Sequence, residues 1–338
     1  MAKLKVLVDF PILEPALQKL RKIPGVEAEV VPAKEEAREL PAAQLRDQQA
    51  VLCTYLPTIL ADMKQLKWVQ ICSAGYSQLF GLGLPEKGVR ATNAAGVFDV
   101  PIAEWNMAML VNLQRDLRGM IRNQESATWD RHKRFQTEIR GRVVGIWGYG
   151  GIGRQTARLA KALGLTVHVL DKAGLPSRAN IYLVPGTGDP EGKFPDRAFT
   201  LEQKQEFLRG LDYLILSVPL TKNTEGMVGE AELQALPRHA FVLNPARGPL
   251  IQEPALLRAL REGWIAGAAL DTHYHYPMPP DHPLWKMPNV IMTPHISGSS
   301  ESPHFVERVW DIFVQNVERF RTGQPLLNEL SVSQLRAE

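Results

Sequence analysis

The sequence predicts an α/β protein of two domains, each built on a doubly wound parallel sheet. Short apolar runs of strand length alternate with helical patterns along most of the 338 residues, which is typical of repeated βαβ units. One of these units carries a glycine-rich turn at residues 148–153. A chain of this length suits about two domains. Because ligands bind at the carboxyl ends of parallel strands, we expect the active site in the cleft between the domains.

The first part of the chain is predicted to form a small parallel sheet. Its strand-like runs are separated by helix-like segments such as residues 14–22. The runs lie at residues 4–10, 26–31, 50–55, 68–73 and 89–93. A helix is then predicted over residues 100–117, and it is apolar nearly all round as far as Leu113. A helix without a polar face is usually buried, so we place it at a domain or subunit boundary.

The stretch from Arg142 to Asp171 is the most informative part of the sequence. An apolar run at residues 143–147 is followed by GYGGIG at 148–153, which has the spacing GxGxxG. A helical pattern comes next, and a second strand at residues 166–170 ends on Asp171. The motif alone is a weak signal. Here the motif lies between a strand and a helix, and a second strand then ends on an acid, Asp171. In this context it predicts a Rossmann-like dinucleotide site.

Each part of this motif has a separate predicted role. Gly148 permits the tight turn, Gly150 lets the backbone approach a pyrophosphate, and Gly153 lets the helix pack closely on the strand. Free N–H groups at the start of the helix face the phosphates. Asp171 accepts hydrogen bonds from the ribose hydroxyls. A carboxylate at that position favours NAD over NADP.

The second half of the chain is predicted to complete the cofactor sheet. Residues 174–197 are rich in glycine, proline and charge, so we interpret them as a surface loop. Strands resume at residues 213–218, 240–244, 265–270 and 290–293, giving a sheet of at least six strands. The last segment, residues 301–321, is predicted to be a helix that returns to the first domain.

The composition argues against several classes of function. The formal net charge is +3 without a long basic run, so nothing points to nucleic acid. No apolar stretch approaches the ~20 residues that span a membrane, and the N-terminus reads as a strand rather than a signal peptide. Cys53 and Cys72 form no CxxC motif, which argues against a metal site. We expect a cytoplasmic protein without a metal.

Three polar motifs follow directly after later strands. Hydride transfer to an oxoacid needs a cation for the carboxylate and carbonyl, a proton donor, and a group that fixes the nicotinamide. Arginine binds carboxylates through two parallel hydrogen bonds, and histidine exchanges protons near neutral pH. Arg247, His295 and Asp271 fit these three needs. They belong to NPARG at 244–248, TPHISG at 293–298 and ALD at 269–271.

The chain resembles the D-isomer-specific 2-hydroxyacid dehydrogenase family over nearly its whole length. The matching segments are SAG at 73–75, TNAAGV at 92–97, AE at 103–104, the glycine loop, VPLT at 218–221 with Thr224, NPARG at 244–248, ALD at 269–271 and LWKMPNVIMTPH at 284–295. The resemblance implies two Rossmann-like or flavodoxin-like domains. The substrate domain would be residues 1–100 plus 299–338, and the NAD-binding domain residues 101–298. A homodimer through the helix starting near Val100 is also implied.

The resemblance assigns roles to single positions. Arg247 matches the substrate-binding arginine, His295 the acid/base, and Asp271 the carboxylate on the nicotinamide amide. The backbone amides of Ala74 and Gly75 match the loop that receives the substrate carboxylate. The other substrate-pocket candidates are Ser73, Tyr76 and Phe98, of which the two aromatic residues would favour bulkier oxoacids. The cofactor-binding candidates are Gly148, Gly150, Gly151, Ile152, Gly153, Arg154, Asp171, Val218, Pro219, Thr224 and Gly298, with Ile152 and Arg154 at the pyrophosphate.

One position departs from the family pattern. The family places a Glu five residues after the strand-end Asp, where it hydrogen-bonds the catalytic His and raises its pKa. Here that position is Tyr276, and no carboxylate lies in residues 272–280. We predict that the Tyr276 hydroxyl orients His295 without supplying charge. The alternative is that the tyrosine simply fills space.

The preferred function is NAD(H)-dependent interconversion of a 2-oxoacid and a D-2-hydroxyacid. The formate dehydrogenase branch is an alternative, because DHP at 281–283 and TPHISG at 293–298 resemble it and it too lacks the Glu. That branch carries a substrate-binding Asn where this chain has Phe98. A third alternative is an NAD-sensing binding protein with weak catalysis. Turnover of 2-oxoacids, or of formate, separates the three.

Overall fold

The computed structural model describes residues 3–34, 36–57 and 62–336, in which strands and helices alternate. The strands are β1 (Leu4–Asp9), β2 (Val26–Val30), β3 (Ala50–Cys53), β4 (Trp68–Ile71), β5 (Arg90–Thr92), β6 (Val143–Trp147), β7 (Thr166–Leu170), β8 (Arg197–Phe199), β9 (Tyr213–Leu216), β10 (Phe241–Asn244), β11 (Gly267–Leu270) and β12 (Val290–Met292). The helices are α1 (Glu14–Lys22), α2 (Ala42–Leu45), α3 (Asp99–Gln114), α4 (Leu117–Glu125), α5 (Gly151–Ala162), α6 (Lys204–Arg209), α7 (Glu230–Ala235), α8 (Glu253–Glu262), α9 (Pro303–Thr322) and α10 (Val332–Leu335).

The chain divides into two compact units. Unit 1 comprises Met1–Phe98, Ala179–Val184 and Ser300–Glu338, and unit 2 comprises Asp99–Arg178 and Pro185–Ser299. The outer boundaries lie within two residues of the predicted ones at 100 and 298. The short middle segment of unit 1 was not predicted. The chain therefore passes between the units four times rather than twice.

Unit 1 is a five-stranded parallel sheet in the order β2-β1-β3-β4-β5. The chain begins in the middle of the sheet and reverses its direction of winding between β1 and β3, which is the flavodoxin-like order. Helix α9 covers the sheet through its aromatic residues. The ring of Trp68 on β4 stacks on Phe313 at 5.4 Å between centroids. This confirms the predicted doubly wound architecture of the first unit.

The segment Ala179–Val184 corrects the prediction of a plain surface loop over residues 174–197. Tyr182 is only 5% exposed and lies in the core of unit 1. Its N–H donates to Oδ1 of Asn328 at 3.0 Å, while the Asn328 N–H donates to the carbonyl of Asn180 at 2.8 Å. The polar composition of the loop does not predict this attachment to unit 1, because a single aromatic side chain and its backbone make it.

Gly96 marks the tightest approach of this segment to the rest of unit 1. It has a φ of +93°, and a Cβ at this position would lie 2.3 Å from the carbonyl oxygen of Tyr182. We expect Gly96→Ala to destabilise the protein by about 2–4 kcal/mol, from left-handed backbone strain plus overpacking. Gly81→Ala is the matched control, because Gly81 has a φ of +74° and open space around its Cβ position.

Denaturation followed by tryptophan fluorescence gives both free energies of unfolding. Gly81→Ala is expected to lose about 1 kcal/mol from backbone strain alone. Equal losses for the two variants would mean that the attachment of Ala179–Val184 to unit 1 contributes nothing to stability.

Unit 2 is a seven-stranded parallel sheet in the order β12-β11-β10-β9-β6-β7-β8. The chain starts at β6, adds β7 and β8 on one side, and returns to add β9 to β12 on the other. The switch point between β6 and β9 is where such sheets bind ligands. The predicted six strands are present, and β8 is an additional one. It is three residues long and begins at Arg197, where the predicted loop was to end.

The helix predicted over residues 100–117 is present as α3, and a second helix that was not predicted, α4, begins at Leu117. Helix α3 ends at Gln114, and Asp116 adopts a left-handed conformation with φ of 46°. The Asp116 side chain then accepts a hydrogen bond from the Gly119 N–H at 3.0 Å and caps α4. Helix α3 packs against α5 in this unit, as its apolar sequence requires. In the described part of the chain, no helix is both long and apolar enough to cross a membrane.

Candidate active site

The glycine loop connects β6 to α5 at the switch point of unit 2. Gly148 has a φ of +102°, and a Cβ there would lie 2.7 Å from the Ser217 carbonyl and 2.6 Å from Cγ1 of Val218. A Cβ on Gly153 would lie 2.3 Å from the Gly148 carbonyl. Glycine at these two positions therefore permits the turn and the close packing of helix on strand, as predicted.

The open side of the loop faces the start of α5. A Cβ on Gly150, the N-cap residue of this helix, would meet nothing within 4 Å. The first N–H groups of α5, from Gly151 and Ile152 onward, have no intrahelical acceptor and favour an anion. The open backbone and the helix start fit the pyrophosphate of a dinucleotide.

Asp171 follows β7 and lies directly against the glycine loop. One carboxylate oxygen accepts the N–H of Tyr149 at 2.7 Å, and the other accepts the N–H of Ala173 at 2.8 Å. The carboxylate is thus held beside the loop, and lone pairs remain for further donors. The role of Asp171 toward the ribose of a dinucleotide stays a prediction.

The Arg154 side chain is buried beside the glycine loop. It is 3% exposed and lies beneath the loop that follows β7. Nε donates to the Tyr149 carbonyl at 3.1 Å, Nη2 donates to the Pro176 carbonyl at 2.6 Å, and Nη1 donates to the Asp189 carbonyl. A guanidinium committed to three carbonyls supports the loop. The place of Arg154 at the pyrophosphate stays a prediction, and these three hydrogen bonds give its side chain a structural role beside it.

Gly151 reveals a residue that sequence reasoning missed. A Cβ on Gly151 would lie 2.0 Å from Oδ2 of Asp99, the first residue of α3. Asp99 is 5% exposed. A buried carboxylate therefore lies against the start of α5. The only signal in the sequence was an acid at the head of an otherwise apolar helix.

The segment after β9 forms the facing wall of the glycine loop. Val218 contacts Gly148 as described, and Pro219 follows it. The Thr224 hydroxyl donates to the Pro219 carbonyl at 2.7 Å and accepts the Thr221 N–H at 2.8 Å. Thr224 therefore closes this turn. Its further role toward a cofactor stays a prediction.

Arg247 follows β10 in a turn shaped by Asn244. The Asn244 side chain donates to the Arg247 carbonyl at 2.8 Å and accepts the N–H groups of Ala246 at 3.1 Å and Arg247 at 3.3 Å. The Arg247 side chain itself is exposed, and its Nη1 donates to the Ala246 carbonyl at 2.7 Å. A rigid turn thus presents a guanidinium with free donors.

Asp271, at the end of β11, is fully buried. Its carboxylate accepts hydrogen bonds from the Thr293 hydroxyl, from the N–H groups of Ile296 at 2.9 Å and Ser297 at 3.0 Å, and from the Ser297 hydroxyl. These contacts shape residues 293–297 around it. The role of Asp271 on a nicotinamide amide stays a prediction, and four donors of its own chain already surround the carboxylate.

His295 is held in a left-handed backbone conformation, with φ of 58°. Its N–H is shared between the carbonyls of Asp271 at 2.8 Å and Thr293 at 3.0 Å. Partial burial lowers the pKa of the imidazole, the charge of Arg247 lowers it further, and the charge of Asp271 opposes both. Gly298 lies in the following turn, closed by the Ser299 N–H on the Ile296 carbonyl at 3.0 Å. The structure therefore brings Arg247 within electrostatic reach of His295.

Tyr276 contacts His295 ring to ring rather than through its hydroxyl. The two ring centroids are 5.6 Å apart with an interplanar angle of 55°. The Tyr276 hydroxyl accepts the backbone N–H of His273 at 3.2 Å, and the side chain is 59% exposed overall. The tyrosine therefore does more than fill space, although its polar contact is with His273.

Replacing Tyr276 with Glu tests how the proton donor is tuned. In the reducing direction His295 must start protonated, so reduction declines as pH rises through its pKa. A carboxylate beside the imidazole favours the charged form and raises that pKa. We expect the pH profile for reduction in Tyr276→Glu to shift upward by about one unit, equivalent to ~1.4 kcal/mol, less any screening by solvent.

The profile should be measured as catalytic efficiency at saturating NADH on one oxoacid, with Tyr276→Gln as the uncharged control. The Gln variant is expected to keep the wild-type profile. If the pH profiles of wild type and Tyr276→Glu coincide, the residue at position 276 does not affect the pKa of the proton donor.

Unit 1 holds the candidates for receiving a substrate carboxylate, in the loop after β4. The Ser73 hydroxyl donates to the Gly75 carbonyl at 2.7 Å and accepts Nε2 of Gln78 at 2.7 Å. Nδ2 of Asn93 donates to the Ala74 carbonyl at 2.7 Å. Within the described residues, the N–H groups of Ala74 and Gly75 have no acceptor. The loop is thus fixed from behind with two free donors. Sequence reasoning missed the bracing residues Gln78 and Asn93.

Two aromatic candidates lie in the same unit. The Tyr76 hydroxyl accepts Nε2 of Gln334 at 3.4 Å, and its ring meets Phe80 edge-on at 5.8 Å. Phe98 packs against Phe305 at 5.4 Å between centroids. Both rings are held by neighbours in unit 1, and their contact with a substrate stays a prediction. No cluster of residues suited to a metal ion occurs in the described ranges.

The glycine loop, the acid after β7 and the Arg247–His295 pair define a nicotinamide-dependent oxidoreductase of the doubly wound class. The family model for the NAD-binding domain of D-isomer specific 2-hydroxyacid dehydrogenases matches residues 107–297, more than half of the chain. The chain belongs to the D-isomer specific 2-hydroxyacid dehydrogenase family. It is therefore an NAD(P)-dependent dehydrogenase or reductase that acts on small 2-oxoacids or 2-hydroxyacids.

Individual relatives agree with this assignment. A glyoxylate reductase of Thermofilum pendens is 30% identical over 308 residues, which are 89% of this chain and 87% of that protein. A family member from Aeromonas salmonicida has a crystal structure with a TM-score of 0.76 at 26% identity, covering 98% of this chain and 99% of that one. A member from Xanthobacter autotrophicus, in complex with NADPH and MES, gives a TM-score of 0.75 at 25% identity with the same coverage.

Proposed function

We propose that the protein is an NAD(H)-dependent 2-oxoacid reductase and D-2-hydroxyacid dehydrogenase. The observation that carries the proposal is the pairing of Arg247 with His295 in unit 2. The guanidinium is exposed and has free donors, and its charge lowers the pKa of the neighbouring imidazole. A fixed cation beside a group that exchanges protons is what reduction of a 2-oxoacid requires.

The roles of the chain follow from this chemistry. Bound nicotinamide supplies the hydride in reduction and receives it in oxidation. Arg247 holds the substrate carboxylate through paired hydrogen bonds and polarises the carbonyl oxygen. In unit 1, the N–H groups of Ala74 and Gly75 are proposed to receive a carboxylate group. His295 donates its proton to the oxygen that becomes the hydroxyl, and it accepts that proton in the reverse reaction.

The cofactor is held by the residues of the glycine loop and its neighbours. The open backbone at Gly150 and the first turn of α5 hold the pyrophosphate, and the Asp171 carboxylate holds the ribose hydroxyls. Val218, Pro219 and Thr224 line the facing wall. Asp271 acts on the nicotinamide side through the loop that it shapes, since its own oxygens are already bonded.

NADH is expected to be preferred over NADPH. The Asp171 carboxylate repels a 2′-phosphate and accepts from free hydroxyls. We expect at least about tenfold higher catalytic efficiency with NADH, corresponding to ~1.4 kcal/mol. Lys172 and Arg178, on the same loop, limit the expected difference in efficiency between the two cofactors, because a 2′-phosphate would attract either cation.

Initial rates with both cofactors, and their dissociation constants by fluorescence titration, measure this preference. Asp171→Ala is the informative variant. It should lower the catalytic efficiency with NADH and so reduce the difference in efficiency between NADH and NADPH. Equal or better efficiency with NADPH in the wild type would overturn the assignment of Asp171 to the ribose.

A panel of 2-oxoacids assayed by NADH absorbance tests the proposed activity, with formate and NAD as the competing arm. This chain has Tyr276 where the family has a Glu, and the formate dehydrogenase branch also lacks that Glu. The assay with formate is therefore needed. Turnover of at least one 2-oxoacid without formate oxidation supports the proposal. Formate oxidation alone assigns the chain to that branch, and NADH binding without turnover of either assigns it to a sensor.

We propose a homodimer through α3 and α4. Large apolar side chains lie exposed along these helices and just after them, and Trp129 is 91% exposed. They are Val111, Leu117, Ile121 and Trp129. A second copy is the occupant that the family resemblance implies. Light scattering should give twice the mass of one chain. Cys53 and Cys72 are buried and form no disulfide within the described residues, which suits the reducing cytoplasm, where we place the protein.

A further inference from the structure

His273 is a buried histidine beside the candidate proton donor, and neither the cofactor nor the substrate assignment uses it. It lies two residues after Asp271 and is 7% exposed. Its Nε2 is 2.8 Å from the carbonyl oxygen of Thr293. The same oxygen accepts the N–H of His295 at 3.0 Å. One carbonyl therefore joins the two histidines.

The contact fixes the protonation of the His273 ring. A carbonyl oxygen can only accept, so Nε2 carries the proton and Nδ1 is an unprotonated acceptor. Nδ1 is buried and has no hydrogen-bond partner within the described residues. A buried acceptor without a donor is costly and rare, and it calls for an explanation.

The Tyr276 side chain contacts the backbone of His273 and carries a hydroxyl donor. Its hydroxyl oxygen already accepts the backbone N–H of His273 at 3.2 Å, and the two rings lie 6.3 Å apart between centroids. Within the described residues, the hydroxyl proton of Tyr276 has no acceptor. An unused donor and an unused acceptor thus lie on residues that are already in contact.

We propose that His273 is a positioning residue for His295, with the Tyr276 hydroxyl as its support. The chain of contacts runs from Tyr276 to His273, through the Thr293 carbonyl, to the backbone of His295. The proposal rests on the function proposed for His295 as the acid/base. It explains how this chain aligns its proton donor with neutral groups at the position where the family uses a carboxylate.

The contact between His273 and the Thr293 carbonyl matters because the backbone of His295 is strained. A histidine at φ of 58° is strained, so its surroundings must hold it there. The Thr293 carbonyl is one of the two acceptors of the His295 N–H, and His273 fixes that carbonyl. His273 is itself held against the turn of Arg247, because a Cβ on Gly248 would lie 2.5 Å from the His273 carbonyl oxygen.

Two substitutions at the same position separate positioning from mere space filling. His273→Gln keeps an N–H donor where Nε2 stands, and His273→Leu removes it at similar volume. We expect His273→Leu to lower kcat about tenfold or more, with KM and NADH affinity changed less than about twofold. His273→Gln is expected to restore most of the lost kcat. His275→Gln, at an exposed histidine two residues on, is the control.

Circular dichroism and NADH fluorescence titration check that each variant is folded and binds cofactor. A kcat of His273→Leu within twofold of wild type overturns the proposal, and so does a Gln variant as slow as the Leu variant. If His273→Leu does not fold, Tyr276→Phe replaces it, because that side chain is largely exposed. Tyr276→Phe is expected to lower kcat about threefold, and a rate equal to wild type then overturns the proposal.

Nitrogen-15 NMR of the histidine rings tests the arrangement without any assay of turnover. The wild type should contain one imidazole whose proton lies on Nε2 and whose Nδ1 makes no hydrogen bond, and its signal should vanish in His273→Gln. The charged and titratable neighbours to consider are Arg247, Asp271, His295 and Tyr276. A His273 ring that carries its proton on Nδ1 instead of Nε2 contradicts the inference. If wild type turns over no oxoacid while this spectrum holds, the proposed function fails and the arrangement of His273 stands.

Discussion

His295→Asn is expected to lower kcat for oxoacid reduction by at least about a hundredfold. Loss of a positioned general acid typically costs 10²–10⁴ in rate, and asparagine keeps the size of the side chain without exchanging a proton. Asparagine also tolerates the left-handed backbone that His295 adopts at φ of 58°, so the fold around Asp271 should persist. Initial rates at saturating oxoacid and NADH measure the effect.

NADH binding provides the control for this variant. The dissociation constant of NADH should change less than about threefold, because His295 is assigned to the proton and not to the cofactor. The pH dependence of the residual rate should also lose the step that His295 causes. A variant that keeps an ordinary rate and an unchanged pH profile would place the proton donor elsewhere.

Arg247→Lys is expected to lower catalytic efficiency by about 10- to 100-fold. Lysine keeps the charge but loses the planar fork that binds a carboxylate through two parallel hydrogen bonds. A hydrogen bond to a charged group contributes about 1.5–3 kcal/mol, which corresponds to this range. The turn should survive, since Asn244 holds it through backbone groups. Efficiency on the best oxoacid is the quantity to measure.

A second effect of Arg247→Gln is predicted from the coupling with His295. The guanidinium lowers the pKa of the imidazole, so removing its charge should raise that pKa and carry the residual reduction to higher pH. NADH affinity is expected to stay the same in both variants. Ordinary turnover in Arg247→Lys would mean that the substrate binds elsewhere.

Features that depend on a few consecutive residues could be predicted from the sequence. The turn at Gly148, the packing at Gly153 and the acid after β7 follow from local spacing, and the structure agrees with each of them. The doubly wound order follows as well, since alternating strands and helices leave few other arrangements. Arg247 and His295 come together because parallel strands end at one edge of the sheet.

Features that depend on distant parts of the chain could not be predicted. The direction of the Arg154 side chain is decided by the loop after β7, whose carbonyls at Pro176 and Asp189 accept its hydrogen bonds. The burial of Tyr182 depends on Gly96 and Asn328 in unit 1. A hydrogen-bond donor finds its partner through the tertiary fold, so spacing in the sequence carries no signal for it.

The handedness of the product tests the central claim most directly. The oxoacid that gives the highest rate should be reduced with NADH, and the resulting 2-hydroxyacid resolved by chiral chromatography against both enantiomers. We expect the D-isomer, formed in equal amount to the NADH consumed, and no product from His295→Asn above a hundredth of the wild-type rate. Formation of the L-isomer, or NADH binding with no hydroxyacid from any oxoacid of the panel, would contradict the proposed function.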